Sequence, residues 1–421
     1  MRKEKLDEFN EWWYTGEVPE DLLEDYKRQL FFSVCQNLKK RQILSIVGLR
    51  RTGKTTIMYQ MIDRLLQRDI EPEDILYFSF DETVEGLDEV ISAYRDIQVR
   101  DFRKKRVYFF LDEVQKLRGW QDQIKKYYDL YPKTKFVISG SGSLFLGKLS
   151  KETLAGRIHE FYLPTLSFTE FLEFKGIKPK LYAPKIKPEF TDYIQRGGFP
   201  EVVTETNMKE VHRYMRSSVI DKIVWRDIPQ ISGIRHVEQA HQLLEAIAIN
   251  PGMDISYPSL AQKFDADRRT MANYVMWLKE SFLIRLLGNF RKGTAVLRKN
   301  RRAYLLDTGI ISAFKPVTDE AFFGRMVENA VINALDAEAF WRNRSEVDAV
   351  VNSIPVEVKY QEKIIKTDLK GVKEFMRKFN VKKGFIITKD SEEMLEVEHG
   401  KIFLIPAWKL LLNPEVIETI I

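Results

Sequence analysis

Cysteine is nearly absent: Cys35 stands alone among 421 residues. A disulfide framework and a cysteine-ligated zinc site are therefore excluded, and a reducing, cytoplasmic setting is the default expectation. No run of 18 apolar residues occurs, so neither a membrane-spanning helix nor a membrane partner is expected. The opening MRKEKLDEFNEWW carries charges and no apolar core, which argues against a signal peptide. Glycine (21) and proline (15) are too scarce for a fibrous or low-complexity chain. The histidines at 159, 212, 236, 241 and 399 are scattered without ligand spacing, so none is assigned to a metal. No repeat of fixed period is found.

What is present is core-forming material. Hydrophobic residues make up 44% and charged residues 30%, a globular composition. At about 150 residues per domain, the length suggests roughly three domains. Lys plus Arg number 67 against 61 Asp plus Glu, a net charge of +6. That balance is compatible with a nucleic-acid partner without requiring one.

Residues 21–40 place Leu22, Leu23, Tyr26, Leu30 and Phe31 at helical spacing. The pair Trp12–Trp13 is read as packing. From residue 43 the pattern alternates between short apolar runs, Ile43–Val47, Ile75–Phe80, Val107–Leu111 and Phe136–Ser139, and longer helical stretches. Such alternation predicts an α/β class with parallel strands and right-handed crossovers, with Ile158–Leu163 closing the sheet. Residues 166–232 read as a helical lid. Between 237 and 306 the order is helix (Val237–Ile249), short helix (Ser259–Phe264), helix (Asp267–Ser281) and two strands (Leu283–Phe290, Arg302–Leu306), which is the winged-helix order. The remainder, 307–421, reads as a small α/β domain: a helix near 322–338, strands near 346–351, 354–360, 383–388 and 401–405, and a helix near 367–379. The expected domains are thus 1–165, 166–232, 233–306 and 307–421.

Gly48-Leu49-Arg50-Arg51-Thr52-Gly53-Lys54-Thr55, followed by Thr56, fits G-x-x-x-x-G-K-[ST] without mismatch. It follows an apolar strand and opens a helix, so backbone N–H groups can converge on a phosphate at a helix N-terminus. Gly48 and Gly53 permit close backbone approach, Lys54 neutralises the β- and γ-phosphates, and Thr55 ligates Mg2+. The run Val107–Leu111 ends in Asp112-Glu113, a Walker B form in which Asp112 holds the Mg2+ shell and Glu113 is the catalytic base toward water. A guanine-reading [NT]-K-x-D element is missing at the expected strand end, which favours ATP over GTP. Ser139 and Ser141 are candidate sensors of the γ-phosphate. Arg157 is a third candidate, serving the nucleotide of its own chain or of a neighbour, which leaves homo-oligomerisation open.

Together GLRRTGKTT (48–56), LDEVQ (111–115), ISGS (138–141), LAGR (154–157) and GGFPEV (197–202) resemble archaeal and bacterial AAA+-like ATPases that carry a C-terminal domain of unknown function. The likeness extends over nearly the whole chain and is similar to the AAA+/STAND branch of P-loop NTPases. It implies a P-loop parallel sheet with ATP and Mg2+ as cofactors, and implies no particular biological substrate.

Two C-terminal runs, Glu346–Val351 and Pro355–Lys359, are separated by a short turn. Strand alternation puts Glu357 and Lys359 on one face, and a hairpin brings Asp348 beside Glu357. Glu328, in the preceding helix, is directed at the same spot. Asp followed by Glu-x-Lys resembles PD-(D/E)xK nucleases, including archaeal Holliday-junction resolvases. The resemblance implies that Asp348 and Glu357 bind one or two Mg2+ ions and that Lys359 positions water or stabilises charge on phosphate.

Six basic residues and no acid fall between 290 and 305: Arg291, Lys292, Arg298, Lys299, Arg301 and Arg302. With Arg268 and Arg269, which open the third helix of the winged-helix pattern, they form the expected DNA-binding surface. Two functions are consistent with these residues. One is an ATP-hydrolysing, DNA-associated protein with a nuclease-like C-terminal domain. The other is a STAND-like nucleotide switch whose C-terminal domains bind protein or DNA without cleavage.

Overall fold

The alternating runs of the N-terminal half build a five-stranded parallel sheet in the computed structural model, which describes residues 3–98, 102–142, 154–179, 186–229, 237–291 and 301–419. The chain divides into two units, Met1–Pro164 and Thr165–Ile421. The first holds β1 (Ile43–Gly48), β2 (Ile75–Ser79), β3 (Tyr108–Asp112), β4 (Lys135–Ser141) and β5 (Ile158–Tyr162), in the order β2-β3-β4-β1-β5. All neighbouring strands are parallel. Each connection must then cross over, and helices Lys54–Leu66, Leu87–Gln98 and Trp120–Leu130 supply three of the crossovers. β1, β2 and β3 are buried along their whole lengths, as strands covered on both faces are. Because β4 lies between β1 and β3, the phosphate-loop strand and the Asp112 strand are two ladder steps apart, about 10 Å.

Side chains close the sheet edge at β2. Asn10 accepts the Tyr77 N–H at 2.7 Å and donates to the Tyr77 carbonyl at 2.9 Å, imitating a neighbouring strand. The indole N–H groups of Trp12 and Trp13 both donate to the Ile75 carbonyl, at 3.2 and 2.8 Å. The helix expected across 21–40 is shorter: a single 3-10 turn at Glu20–Leu22, then a helix at Gln29–Gln36. The chain between them gives its carbonyls to another element. Gln60 donates to the carbonyls of Glu24 (2.7 Å) and Tyr26 (3.0 Å), and buried Arg28 donates to those of Thr52 (3.2 Å) and Pro164 (3.1 Å).

In the second unit, helices Phe168–Phe174 and Ile186–Arg196 precede a helical stretch from Met208 that turns π-helical over Met215–Ile220 and Lys222–Asp227. The GGFPEV motif has a packing role there. Buried Asp307 accepts the N–H groups of Gly198 (2.9 Å) and Gly309 (2.8 Å), and a Cβ on Gly197 would lie 2.0 Å from an Asp307 carboxylate oxygen. Arg196, just before the motif, is buried against Asp192 at 2.8 Å and the Val202 carbonyl at 2.9 Å.

Nine strands then make one mixed sheet: β6 (Met253–Ile255), β7 (Ile284–Asn289), β8 (Arg301–Leu305), β9 (Ala339–Arg342), β10 (Glu346–Val351), β11 (Ile354–Lys359), β12 (Lys383–Thr388), β13 (Glu393–Val397) and β14 (Gly400–Pro406), ordered β13-β14-β12-β11-β10-β9-β7-β8-β6. Helices Val237–Ile249, Tyr257–Lys263 and Arg268–Glu280 precede β7. The boundary expected at 306/307 falls inside this sheet. β7 pairs in parallel with β9 through Gly288–Ala339 and Asn289–Phe340, so the two flanking segments share backbone hydrogen bonds. Strands β6 and β9 escape periodicity because they have only three and four residues, and β13 because it has no buried residue. Among the described residues no helix is long and apolar enough to cross a membrane.

The edge closure is open to test. Asn10→Ala leaves the Tyr77 N–H buried without an acceptor and is expected to destabilise the protein by about 1–3 kcal/mol. Scanning calorimetry would show this as a lowered Tm, and an unchanged Tm would contradict the closure.

Candidate functional site

The C-terminal ends of β1 and β3 are where an open parallel sheet presents a crevice. Gly53, at φ +93°, turns the chain from the loop into helix Lys54–Leu66. Gly48 is required for another reason: a Cβ there would stand 2.3 Å from the Leu163 carbonyl, and the Leu163 N–H donates to Val47 at 2.7 Å. Thr52 is buried and donates to the Leu49 carbonyl at 3.0 Å, drawing the loop into a ring. Buried Lys54 lies across that ring, with its ammonium donating to the carbonyls of Leu49 (2.6 Å) and Gly48 (3.3 Å). Arg50, Arg51 and Thr56 complete the motif, with Arg51 at φ +63°.

One carboxylate collects the elements around this loop. Asp112, 3% exposed, accepts the Thr55 hydroxyl at 2.6 Å and the Tyr77 hydroxyl at 3.1 Å on one oxygen. Its other oxygen accepts the Glu113 N–H at 2.9 Å and the Ser139 hydroxyl. Helix Lys54–Leu66 thereby spans the gap that β4 imposes between β1 and β3. Burial and the Asp112 charge raise the Tyr77 phenol well above its ordinary range, so it remains a donor. Tyr59, from the phosphate-loop helix, packs on Tyr77 with ring centroids 4.7 Å apart. Thr55 and Asp112 are hydrogen-bonded to one another, and hydroxyl and carboxylate oxygens are the donor type that Mg2+ takes.

Glu113 follows at φ +53°, a left-handed backbone rarely adopted away from glycine and concentrated at functional sites. Burial raises its carboxyl above the ordinary glutamate range, and Lys54 and Arg50 oppose that rise. Gln115 donates to it. Ser139 is occupied by Asp112, and Ser141 ends β4. Arg157 is displaced from the role expected of it in its own chain. It precedes β5 at the opposite end of the sheet, where its carbonyl accepts the Ile43 N–H at 2.8 Å, and five residues of β1 put it about 17 Å from Gly48. Its guanidinium pairs with Asp129 at 3.1 Å.

In the second unit, Glu328, Asp348, Glu357 and Lys359 come together. Asp348 accepts the Val358 N–H at 2.9 Å, Lys359 pairs with Glu357 at 2.6 Å, and the Tyr304 hydroxyl donates to Glu328 at 2.7 Å. Burial, and then the Asp348 charge, raises both Glu328 and Glu357 well above the ordinary glutamate range. Among the described residues no three His, Cys, Asp or Glu side chains converge as metal ligands. Arg302 corrects the expectation of a basic surface: it is 7% exposed, and its guanidinium pairs with Asp348 at 3.4 Å and with Glu346. Its side chain is turned into the carboxylates rather than toward solvent. Arg268 and Arg269 are exposed at the start of their helix, which Asp267 caps through the Arg269 and Thr270 N–H groups. Arg301 is half-buried on β8. Arg298 and Lys299 lie outside the described residues.

Residues 40–172 match the family model described as an AAA domain, and residues 187–321 match a domain of unknown function, DUF8612. The first match contains the phosphate loop, Asp112 and Glu113; the second runs through both the 232/233 and 306/307 boundaries. An uncharacterized protein of Haemophilus influenzae is 26% identical over 297 residues, 68% of this chain and 72% of that one. The uncharacterized protein MJ1637 of Methanocaldococcus jannaschii is 25% identical over 416 residues, 88% of this chain and 84% of that one. Among solved structures, AMPPCP-bound DnaA from Aquifex aeolicus aligns over 60% of this chain and 86% of that one, at 16% identity and a TM-score of 0.30, too distant to bear on residue roles.

Tyr77 is a contributor that sequence reading passes over, because a tyrosine inside an apolar strand looks like core. Tyr77→Phe removes one hydrogen bond to a buried carboxylate and is expected to cost about 1–3 kcal/mol in urea unfolding. An unaltered unfolding midpoint would remove Tyr77 from the group that holds Asp112.

Proposed function

We propose that this protein binds ATP with Mg2+ in the 48–56 loop and hydrolyses it, and that its second unit engages DNA. The observation carrying the first part is the 2.6 Å contact of Thr55 with Asp112, made beside Lys54 and Glu113. The match of residues 40–172 to an AAA domain supports it. On nucleotide binding the Lys54 ammonium turns from its own loop carbonyls to the β- and γ-phosphates, while the loop N–H groups take further phosphate oxygens. Thr55 and Asp112 hold Mg2+, which when bound neutralises charge on the phosphates. Glu113 orients the attacking water and takes its proton, a role that suits a carboxyl raised by burial. Ser139 and Tyr77 keep Asp112 in position.

The DNA part is supported by exposed Arg268 and Arg269 on a helix followed by the β7–β8 pair, the element order of a winged helix. Contacts of that kind are to phosphate and are salt-dependent. The nuclease-like reading of the C-terminal segment is supported by the gathering of Glu328, Asp348, Glu357 and Lys359. The alternative, a nucleotide switch whose second unit binds DNA or protein without cutting, is favoured by one observation: Arg302 already neutralises Asp348.

Two experiments test these readings. Lys54→Ala is expected to abolish binding of a fluorescent ATP analogue, and Glu113→Gln to retain binding while turnover falls at least 100-fold, in line with about 10^2–10^4 for a lost general base. Unchanged affinity in the first variant, or normal turnover in the second, would refute those assignments. Linear and branched DNA are then incubated with Mg2+ or Mn2+, with and without ATP. Cleavage that vanishes in Glu357→Gln identifies a nuclease, and intact DNA beside normal ATP turnover identifies the switch. In the same samples Arg268→Ala with Arg269→Ala lowers DNA affinity and flattens its salt dependence, and a DNA affinity indifferent to salt would remove the arginine surface.

A further inference from the structure

The carboxylate cluster of the second unit contains a guanidinium that no E-x-K motif calls for. Arg302 belongs to β8, three ladder steps from β10, about 14 Å in a flat sheet. It nevertheless meets β10, with its guanidinium over the Phe340 ring at 4.8 Å, 3.4 Å from Asp348 and paired with Glu346. Its side chain reaches across β7 and β9 to do so. The second Asp348 oxygen accepts the Val358 N–H. The second Glu346 oxygen takes Arg342, which also pairs with Asp254 at 2.7 Å. Along the Glu346–Asp348 side, positive charge is therefore already supplied by the protein.

The Glu357 side is different. Glu357 is 7% exposed, and one of its oxygens is paired with Lys359 at 2.6 Å. The other, Oε2, is buried without any hydrogen-bond donor. A buried carboxylate oxygen in that condition is an open ligand position. Glu328, approaching from helix Glu320–Ala334, has one oxygen engaged by the Tyr304 hydroxyl.

Resting on the metal reading of this cluster given above, we propose that it takes one hydrated divalent cation of the Mg2+ or Mn2+ class, at Glu357 and Asp348, and that Arg302 holds the place of a second. Paired-metal sites set their ions about 3.5–4 Å apart and share a bridging carboxylate. Asp348 is the residue placed to bridge, and a second ion on it would sit against a guanidinium that cannot lose its proton. One hydrated ion suits Mg2+, which keeps several waters and needs only one or two carboxylates. The ligand recognised is a phosphodiester, met by one divalent cation and the Lys359 ammonium.

The test is a count of bound Mn2+ by electron paramagnetic resonance, on the full chain without nucleotide. The cluster's share is the difference between a protein and its counterpart carrying both Glu357→Gln and Asp348→Asn, which removes both positions of the cluster and cancels any ion held at Thr55 and Asp112. The wild type is expected to hold one such ion, Arg302→Lys one, and Arg302→Met two. Two ions in the wild type or in Arg302→Lys, or a single ion in a folded Arg302→Met, overturn the role of Arg302 and leave the metal reading standing. No cluster-dependent ion in the wild type overturns both. Circular dichroism checks folding; if Arg302→Met does not fold, the wild-type and Arg302→Lys counts decide.

Discussion

The Asp112 carboxylate is the constraint around which the first unit is arranged. Its four donors come from the phosphate-loop helix, β2, β4 and its own successor in the chain. Burying a carboxylate is costly unless its oxygens are hydrogen-bonded, and these donors offset that cost. Supplying them fixes how the elements are set against one another: Thr55 is the second residue of its helix, Ser139 lies on the strand between β1 and β3, and Tyr77 lies on the edge strand. The Tyr77 hydrogen bond in turn demands that β2 be secured, and Asn10, Trp12 and Trp13 secure it from outside. A residue seven-tenths of the way along the first unit thus accounts for the placement of the N-terminal segment.

Much of this was legible in the amino-acid order because its signals are local. A glycine-framed loop between an apolar strand and a helix, and a strand ending in two acids, need no tertiary information to be recognised. The helices at 237–249 and 268–280 were readable from 3.6-residue spacing and the Asp267 cap. The failures share a cause, which is competition from distant partners. Residues 24–28 carry helical spacing, yet their backbone is engaged by Gln60 and the Arg28 side chain is committed to Thr52 and Pro164. Arg157 and Arg302 look like generic basic residues until strand order shows one at the far end of the sheet and the other folded into a cluster of carboxylates. Sheet order, unlike periodicity, is set by pairs far apart in the chain.

Arg302 also changes the physical character of the second unit. Charge that composition assigns to an exposed basic hairpin is partly spent inside the protein. The surface left to attract phosphate is correspondingly weaker than a count of Lys and Arg suggests, while the cluster of Glu328, Asp348 and Glu357 is less negative than its motif suggests. Both shifts come from a single side chain crossing from one part of a sheet to another.

The seam between β7 and β9 is narrow, two residue pairs long, and ionic contacts from Arg302 and Arg342 reinforce it. Gene dissection at that point would expose two raw strand edges and leave a buried acid and a buried base each without its counterpart. The strands on either side of residue 306 are therefore held in one continuous sheet by backbone hydrogen bonds rather than joined by a tether.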